Sequence, residues 1–158
     1  NVVRVIGKPW GLVVFLLDFL KGFIAPVLMA SIPAAGSFFI ITAGVVAVCG
    51  HNWPVFLKFK GGKGVSTSLG AIVGTGCVFP QVWIAIFTAL AAWLIVFYIS
   101  RYVSLASLSA AGVLWVCSLI VKAPREVSLF SLLIFIFIIV RHKKNIRNLL
   151  NKKEHRFK

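Results

Sequence analysis

Long apolar blocks, separated only by short turn-forming segments, constrain this chain more than any other feature. Six of them run over residues 10–32, 36–53, 64–79, 81–99, 103–121 and 127–141. A helix that crosses the hydrocarbon layer needs about 20 mostly apolar residues. Backbone polar groups in lipid must be satisfied within each segment, so these blocks predict helices. They lack the polar–apolar alternation of a membrane β-barrel. With 60% of residues hydrophobic, against nearer half for a soluble domain, a water-soluble core is not the natural reading. The predicted fold is all-α, a polytopic transmembrane bundle of six spans forming one membrane domain over 1–158.

The breaks between blocks carry turn chemistry: Pro33 to Gly36, Trp53-Pro54, Pro80, and Lys122 to Glu126 around Pro124. The third block is short and glycine-bearing, which predicts a tilted or partly sheltered helix. Cys49, Cys77 and Cys117 lie in or beside separate apolar stretches. That spacing fits neither a zinc site nor a disulfide framework and reads as small buried hydrophobes. The chain starts Asn1-Val2-Val3-Arg4, and its one methionine is Met29 deep in the first block. The expectation from this is a fragment whose N-terminal part is missing.

Charge supplies the orientation. If six spans alternate between two faces, one face collects 14 of the 17 Lys and Arg residues. These are Arg4, Lys8, Lys58, Lys60, Lys63, Arg101, Arg141, Lys143, Lys144, Arg147, Lys152, Lys153, Arg156 and Lys158; the rest are Lys21, Lys122 and Arg125. The positive-inside rule puts that face in the cytoplasm. The net charge of +14 is then partly topology and partly attraction to anionic membrane lipid. Nucleic acid is a poor partner, because the charge is tied to span ends and no binding module is present.

Three polar clusters lie at the basic ends of the spans. The first is Gly50-His51-Asn52-Trp53-Pro54-Val55-Phe56-Leu57-Lys58-Phe59-Lys60-Gly61-Gly62-Lys63-Gly64. Its glycines permit close backbone approach, they precede a helix N-terminus, and Lys63 adds a full charge. It reads equally as a phosphate cradle or as a flexible basic turn. It is not a Walker A loop, since Leu57 and Gly64 stand where a Gly and a Ser or Thr are needed. The second runs from Arg101 to Ser107. There Ser104, in the first turn of the next helix, could offer a hydroxyl to a ligand, but taken alone reads better as a cap. The third is Arg141-His142-Lys143-Lys144-Asn145-Ile146-Arg147. In a continuing helix it puts His142 and Asn145 on one face, though alone it reads better as an interfacial amphipathic tail. Asp18 and Lys21, three residues apart within the first span, read as a structural ion pair, and His51 as a cap or brace for the adjacent loop. His155 reads as incidental.

Taken together and in this order, the clusters resemble the bacterial acyl-phosphate:glycerol-3-phosphate acyltransferase family. Asn1 to Arg4, Gly7, Asp18 and Lys21-Gly22 are similar to the end of the first family motif and the helix after it. Gly50 to Gly64, continuing through Val65, Thr67 and Gly70, resembles the second. Arg101 to Ser107 resembles the signature between later spans, and His142, Asn145 and Glu154 the last motif. Asn148 and Lys152 depart from that motif, and the first motif's serine would precede Asn1. The resemblance implies a seven-helix inner-membrane enzyme, one helix lying before this chain. It would move an acyl group from acyl phosphate to the sn-1 hydroxyl of glycerol 3-phosphate, giving lysophosphatidic acid, with the active site facing the cytoplasm. It implies that Arg4, Gly61, Gly62, Lys63 and Gly64 hold phosphate and that Ser104, His142 and Asn145 line the reacting groups. Asp18, Lys21, His51 and Arg101 would support them. No metal or organic cofactor is needed by this scheme, and no protein partner is implied. The rival from another class is a transporter or channel for a small anionic solute. Its polar groups, however, are expected near the midplane rather than at span ends.

Overall fold

The computed structural model describes residues 7–157; Asn1–Ile6 and Lys158 lie outside the described residues. The described secondary structure is helical, in the order α1 (Lys8–Ala30), α2 (Ser37–Asn52), a 3-10 turn (Val55–Leu57), α3 (Val65–Val78), α4 (Val82–Ser100), α5 (Val103–Ile120), α6 (Arg125–Arg141) and α7 (Lys143–Leu150). The six long helices coincide with the six apolar blocks to within a few residues at each end. Among the described residues, four segments are long and apolar enough to cross a membrane: Lys8–Ala30, Ser37–Leu57, Val82–Ser100 and Val103–Ile120. Helix α3 has 14 residues and α6 has 17. At 1.5 Å per residue they reach about 21 and 26 Å, short of the roughly 30 Å hydrocarbon layer.

The chain divides into two compact units at Val78/Phe79. In the first, α3 is the most enclosed helix: Thr67, Ser68, Gly70, Ala71, Ile72, Gly74, Thr75 and Gly76 are buried. It lies against α1 at backbone distance. A Cβ on Gly22 would collide with the Thr67 carbonyl oxygen, and one on Gly70 with that of Phe19. Lipid offers no hydrophobic drive for helices to associate, so small residues that admit close van der Waals contact take that role. Pro26 is buried inside α1 and packs beside Gly74. Much of α1 is otherwise outward-facing, with Leu12, Leu17 and Leu28 exposed, as suits a helix bathed in lipid chains.

The second unit is built on α4, α5 and α6. Its core takes Val82, Ala85 and Ile86 from α4, Ala106 and Leu114 from α5, and Val127, Phe130, Ile134 and Ile138 from α6. The α6 set recurs at three- and four-residue steps, one stripe of a helix. Hydroxyl groups in these apolar surroundings bond the preceding turn: Ser131 Oγ donates to the Val127 carbonyl at 2.9 Å and Ser118 Oγ to that of Trp115 at 2.6 Å. Pro124 precedes α6 and fixes its entry. Helix α7, polar and basic, follows α6 directly, with His142 at the joint.

Candidate active site

In the first unit, α2 ends at Asn52 and the glycine segment folds back against that end. A Cβ on Gly62 would strike Nε2 of His51, and one on Gly64 would strike Oδ1 of Asn52. Gly64 also has φ +76, a conformation that costs non-glycine residues. Glycine is therefore required here for both space and backbone, which a merely flexible turn would not demand. The segment delivers its chain into the first turn of α3, where Ser68 N donates to the Gly64 carbonyl at 2.8 Å. Lys63 is exposed between the two fixed glycines. Asn52, which lies against Gly64, and Thr67 are fully buried and Ser68 nearly so. The side-chain polar atoms of all three have no hydrogen-bond partner, an arrangement rare enough in protein interiors to require a reason.

His51 is held from its other side. Lys21 Nζ lies 2.6 Å from Asp18 Oδ1 and 2.8 Å from His51 Nδ1, and Asp18 Oδ1 lies 3.3 Å from the same ring nitrogen. The two charges of α1 thus reach across to the end of α2 and fix the ring that packs on Gly62. Arg4 lies outside the described residues.

In the second unit, α4 ends at Arg101, which adopts the left-handed conformation (φ 59) that closes a helix. Its guanidinium lies 5.3 Å from the Tyr98 ring centroid. Ser104 does not cap α5: the cap position is Tyr102, with no side-chain cap bond. Ser104 Oγ instead donates to Glu154 Oε1 at 2.7 Å, and Asn145 Nδ2 donates to the same oxygen at 2.6 Å. The segment after α7 is fastened beside them. Phe157 N donates to the Arg101 carbonyl at 2.9 Å, Arg156 Nε to the Tyr102 hydroxyl at 3.1 Å, and the Phe157 ring meets Phe97 edge-on. His142 is buried at the α6–α7 joint, and its Nδ1 sits 2.8 Å from the Ile138 carbonyl oxygen. A carbonyl only accepts, so the proton is on Nδ1, and in the neutral ring Nε2 is the basic nitrogen.

Glu154 is the residue sequence reasoning undervalued. The chain has three acidic residues, and this one stands inside a basic tail; that rarity was the available signal. Glu154→Ala is expected to lower stability by about 2–3 kcal/mol, since Ser104 and Asn145 both lose a charged acceptor. Glu154→Gln, which keeps an acceptor oxygen, should lose about half of that. Thermal unfolding in detergent micelles checks the order of the two. Equal stability of Glu154→Ala and wild type would contradict it.

The glycerol-3-phosphate acyltransferase family profile matches residues 1–152. A glycerol-3-phosphate acyltransferase of Aquifex aeolicus is 42% identical over 157 residues, covering 99% of this chain and 79% of the relative. One of Gloeobacter violaceus is 37% identical, covering 98% and 74%. Two crystal structures of PlsY (YgiH), an integral membrane glycerol 3-phosphate acyltransferase, superpose over 100% of this chain at 39% identity. The glycerol 3-phosphate form gives a TM-score of 0.90 with 76% of its own chain covered, and the lysophosphatidic acid form 0.89 with 78%. A profile spanning nearly the whole chain, relatives matched along most of their length and an all-helical fold shared with an integral membrane enzyme agree: the chain belongs to the glycerol-3-phosphate acyltransferase family.

Proposed function

We propose that this protein transfers an acyl group from acyl phosphate to the sn-1 hydroxyl of glycerol 3-phosphate, releasing phosphate and lysophosphatidic acid, at the cytoplasmic face of a bacterial inner membrane. In this reading the whole chain is one membrane domain and all six long helices cross. The observation that carries the proposal is the glycine segment: Lys63 is exposed on a backbone immobilised against His51 and Asn52. The PlsY structures solved in glycerol 3-phosphate and lysophosphatidic acid forms support it.

Acyl phosphate is a mixed anhydride, already activated and carrying a good leaving group, so no protein nucleophile is needed. The glycerol hydroxyl oxygen attacks the acyl carbonyl carbon, and the bond from that carbon to the phosphate oxygen breaks. Phosphate departs with the electron pair. The hydroxyl proton passes to His142 or to a substrate phosphate oxygen. Lys63, Arg4 and the amides of Gly61, Gly62 and Gly64 offset repulsion between two phosphate-bearing substrates and hold them together. Ser104 and Asn145, oriented by Glu154, line the substrate. Asp18, Lys21 and His51 hold the glycine segment in place, and Arg101 anchors the tail.

Membranes containing the protein are to be incubated with palmitoyl phosphate and labelled glycerol 3-phosphate. Labelled lysophosphatidic acid is the expected product, with none formed when acyl-CoA or acyl-carrier protein replaces the acyl phosphate. Uptake of the label without product would replace the acyltransferase with a transporter.

A further inference from the structure

Between Asn52 and the glycine segment the chain makes a short excursion that the chemistry above does not use. Val55, Phe56, Leu57 and Phe59 are 68, 99, 60 and 60% exposed, four apolar side chains out of five consecutive residues. Outward apolar residues on the long helices are accounted for by lipid chains along a helix. Val55, Phe56 and Leu57 stand on a 3-10 turn beyond the end of α2 and Phe59 on the turn that follows it, where a water-exposed connection is expected to be polar. A contiguous exposed apolar patch marks a contact surface.

Three observations identify what it contacts. First, four successive N–H groups of the turn are paired from within. Leu57 N and Phe59 N donate to the Pro54 carbonyl at 3.1 and 3.0 Å, Lys58 N to that of Val55 at 3.0 Å, and Lys60 N to that of Leu57 at 3.0 Å. Non-helical backbone can leave water only when its polar groups are paired in this way. Second, the patch is continuous with a membrane-crossing segment: the apolar stretch long enough to cross runs Ser37–Leu57 and includes the turn. Third, the exposed residues interleaved with the apolar ones are Lys58 and Lys60. Aromatic and aliphatic side chains beside lysines suit the boundary between acyl chains and anionic headgroups. Lys58 and Phe59 both take left-handed backbone, φ 50 and 62, which non-glycine residues adopt at a cost. The shape is thus maintained despite local preference.

We propose that Val55–Phe59 is an interfacial anchor, its apolar side chains seated at the acyl–headgroup boundary of the leaflet on the basic side and Lys58 and Lys60 engaging anionic lipid phosphates. The anchor rests on the membrane reading alone and is independent of the acyl-transfer proposal. Because Gly61 and Gly62 pack on Pro54 and His51 directly after it, the anchor sets the depth at which Lys63 is presented.

The test uses the full chain with Cys49, Cys77 and Cys117 replaced by alanine and a bimane fluorophore on Phe56→Cys, with Phe59→Cys as a second position. Both residues are exposed, so labelling leaves packing untouched. The protein is reconstituted in phosphatidylcholine vesicles with and without phosphatidylglycerol. Phosphatidylcholine labelled with doxyl near the headgroup is expected to quench both positions strongly, and aqueous iodide weakly. Doxyl-phosphatidylglycerol should quench more than doxyl-phosphatidylcholine at equal mole fraction. Replacing Lys58 and Lys60 by glutamine should remove that excess, each lysine accounting for about fivefold in local anionic-lipid enrichment. Full iodide quenching at both positions without doxyl-lipid quenching would overturn the anchor in favour of a water-exposed loop. Weak quenching by both reagents, with self-quenching that rises with protein-to-lipid ratio, would overturn it in favour of a second copy of the chain.

Discussion

Lys63→Met is expected to lower kcat/KM for glycerol 3-phosphate by about 100-fold or more, the scale on which removal of one preorganised charge-stabilising donor acts. The lysine is exposed on a backbone whose neighbours cannot shift, since Gly62 and Gly64 lie against His51 and Asn52. Its ammonium is therefore presented from a fixed base rather than from a mobile loop. Methionine preserves the length of the side chain and removes the charge at a solvent-exposed position. Thermal midpoint and helix content should match wild type. Lys63→Arg, which keeps charge but replaces a compact ammonium with a planar fork, should recover part of the loss. The measurement is initial rate against glycerol 3-phosphate concentration in membranes of matched protein content. Unchanged kinetics in a folded Lys63→Met protein would remove the phosphate role from the glycine segment.

Gly70→Leu and Gly22→Leu are each expected to eliminate folded protein. At both positions a Cβ meets a backbone carbonyl of the facing helix, that of Phe19 for Gly70 and that of Thr67 for Gly22. Backbone has no flexible end that can swing aside, so α1 and α3 must separate. Overpacking a close-packed contact costs about 1–3 kcal/mol where side chains can give, and more is expected where they cannot. Total stabilities of roughly 5–15 kcal/mol do not readily absorb such losses. The control is Gly50→Ala in α2, where a Cβ meets nothing within 4 Å. That change should stabilise by about 0.5–1 kcal/mol through helix propensity. The monodisperse fraction on size-exclusion chromatography in detergent separates the two groups. A monodisperse Gly70→Leu protein would refute the close contact between α1 and α3.

The six helices were legible because hydrophobic blocks and turn residues are local signals. The short, glycine-bearing third block was legible as a sheltered helix for the same reason: Gly70 and Gly74, one turn apart, mark a face that meets another backbone. The pairing of Asp18 with Lys21 follows from their spacing on one helix, but the approach of His51 to that pair does not, because it depends on how α1 meets the end of α2. Ser104 was misread as a cap since its acceptor, Glu154, lies 50 residues away, beyond any local pattern. The role of Asn52 behind Gly64 was hidden likewise, and so was the fastening of Arg156 and Phe157 onto the α4–α5 junction. What the residues could not state locally is which of them meet across the chain.

The backbone contact between α1 and α3 has a consequence for how the protein is made. These helices are not neighbours in the chain: α2 and the glycine segment emerge from the ribosome between them. Helix α1 therefore enters the bilayer before its glycine face can meet α3 and before His51 can reach Lys21 and Asp18. The arrival of α2 brings His51 to that pair, and only the exit of α3 closes the glycine face. The stretch that ends at Val78 is then a unit of biogenesis that becomes complete at about the residue where the fold itself divides.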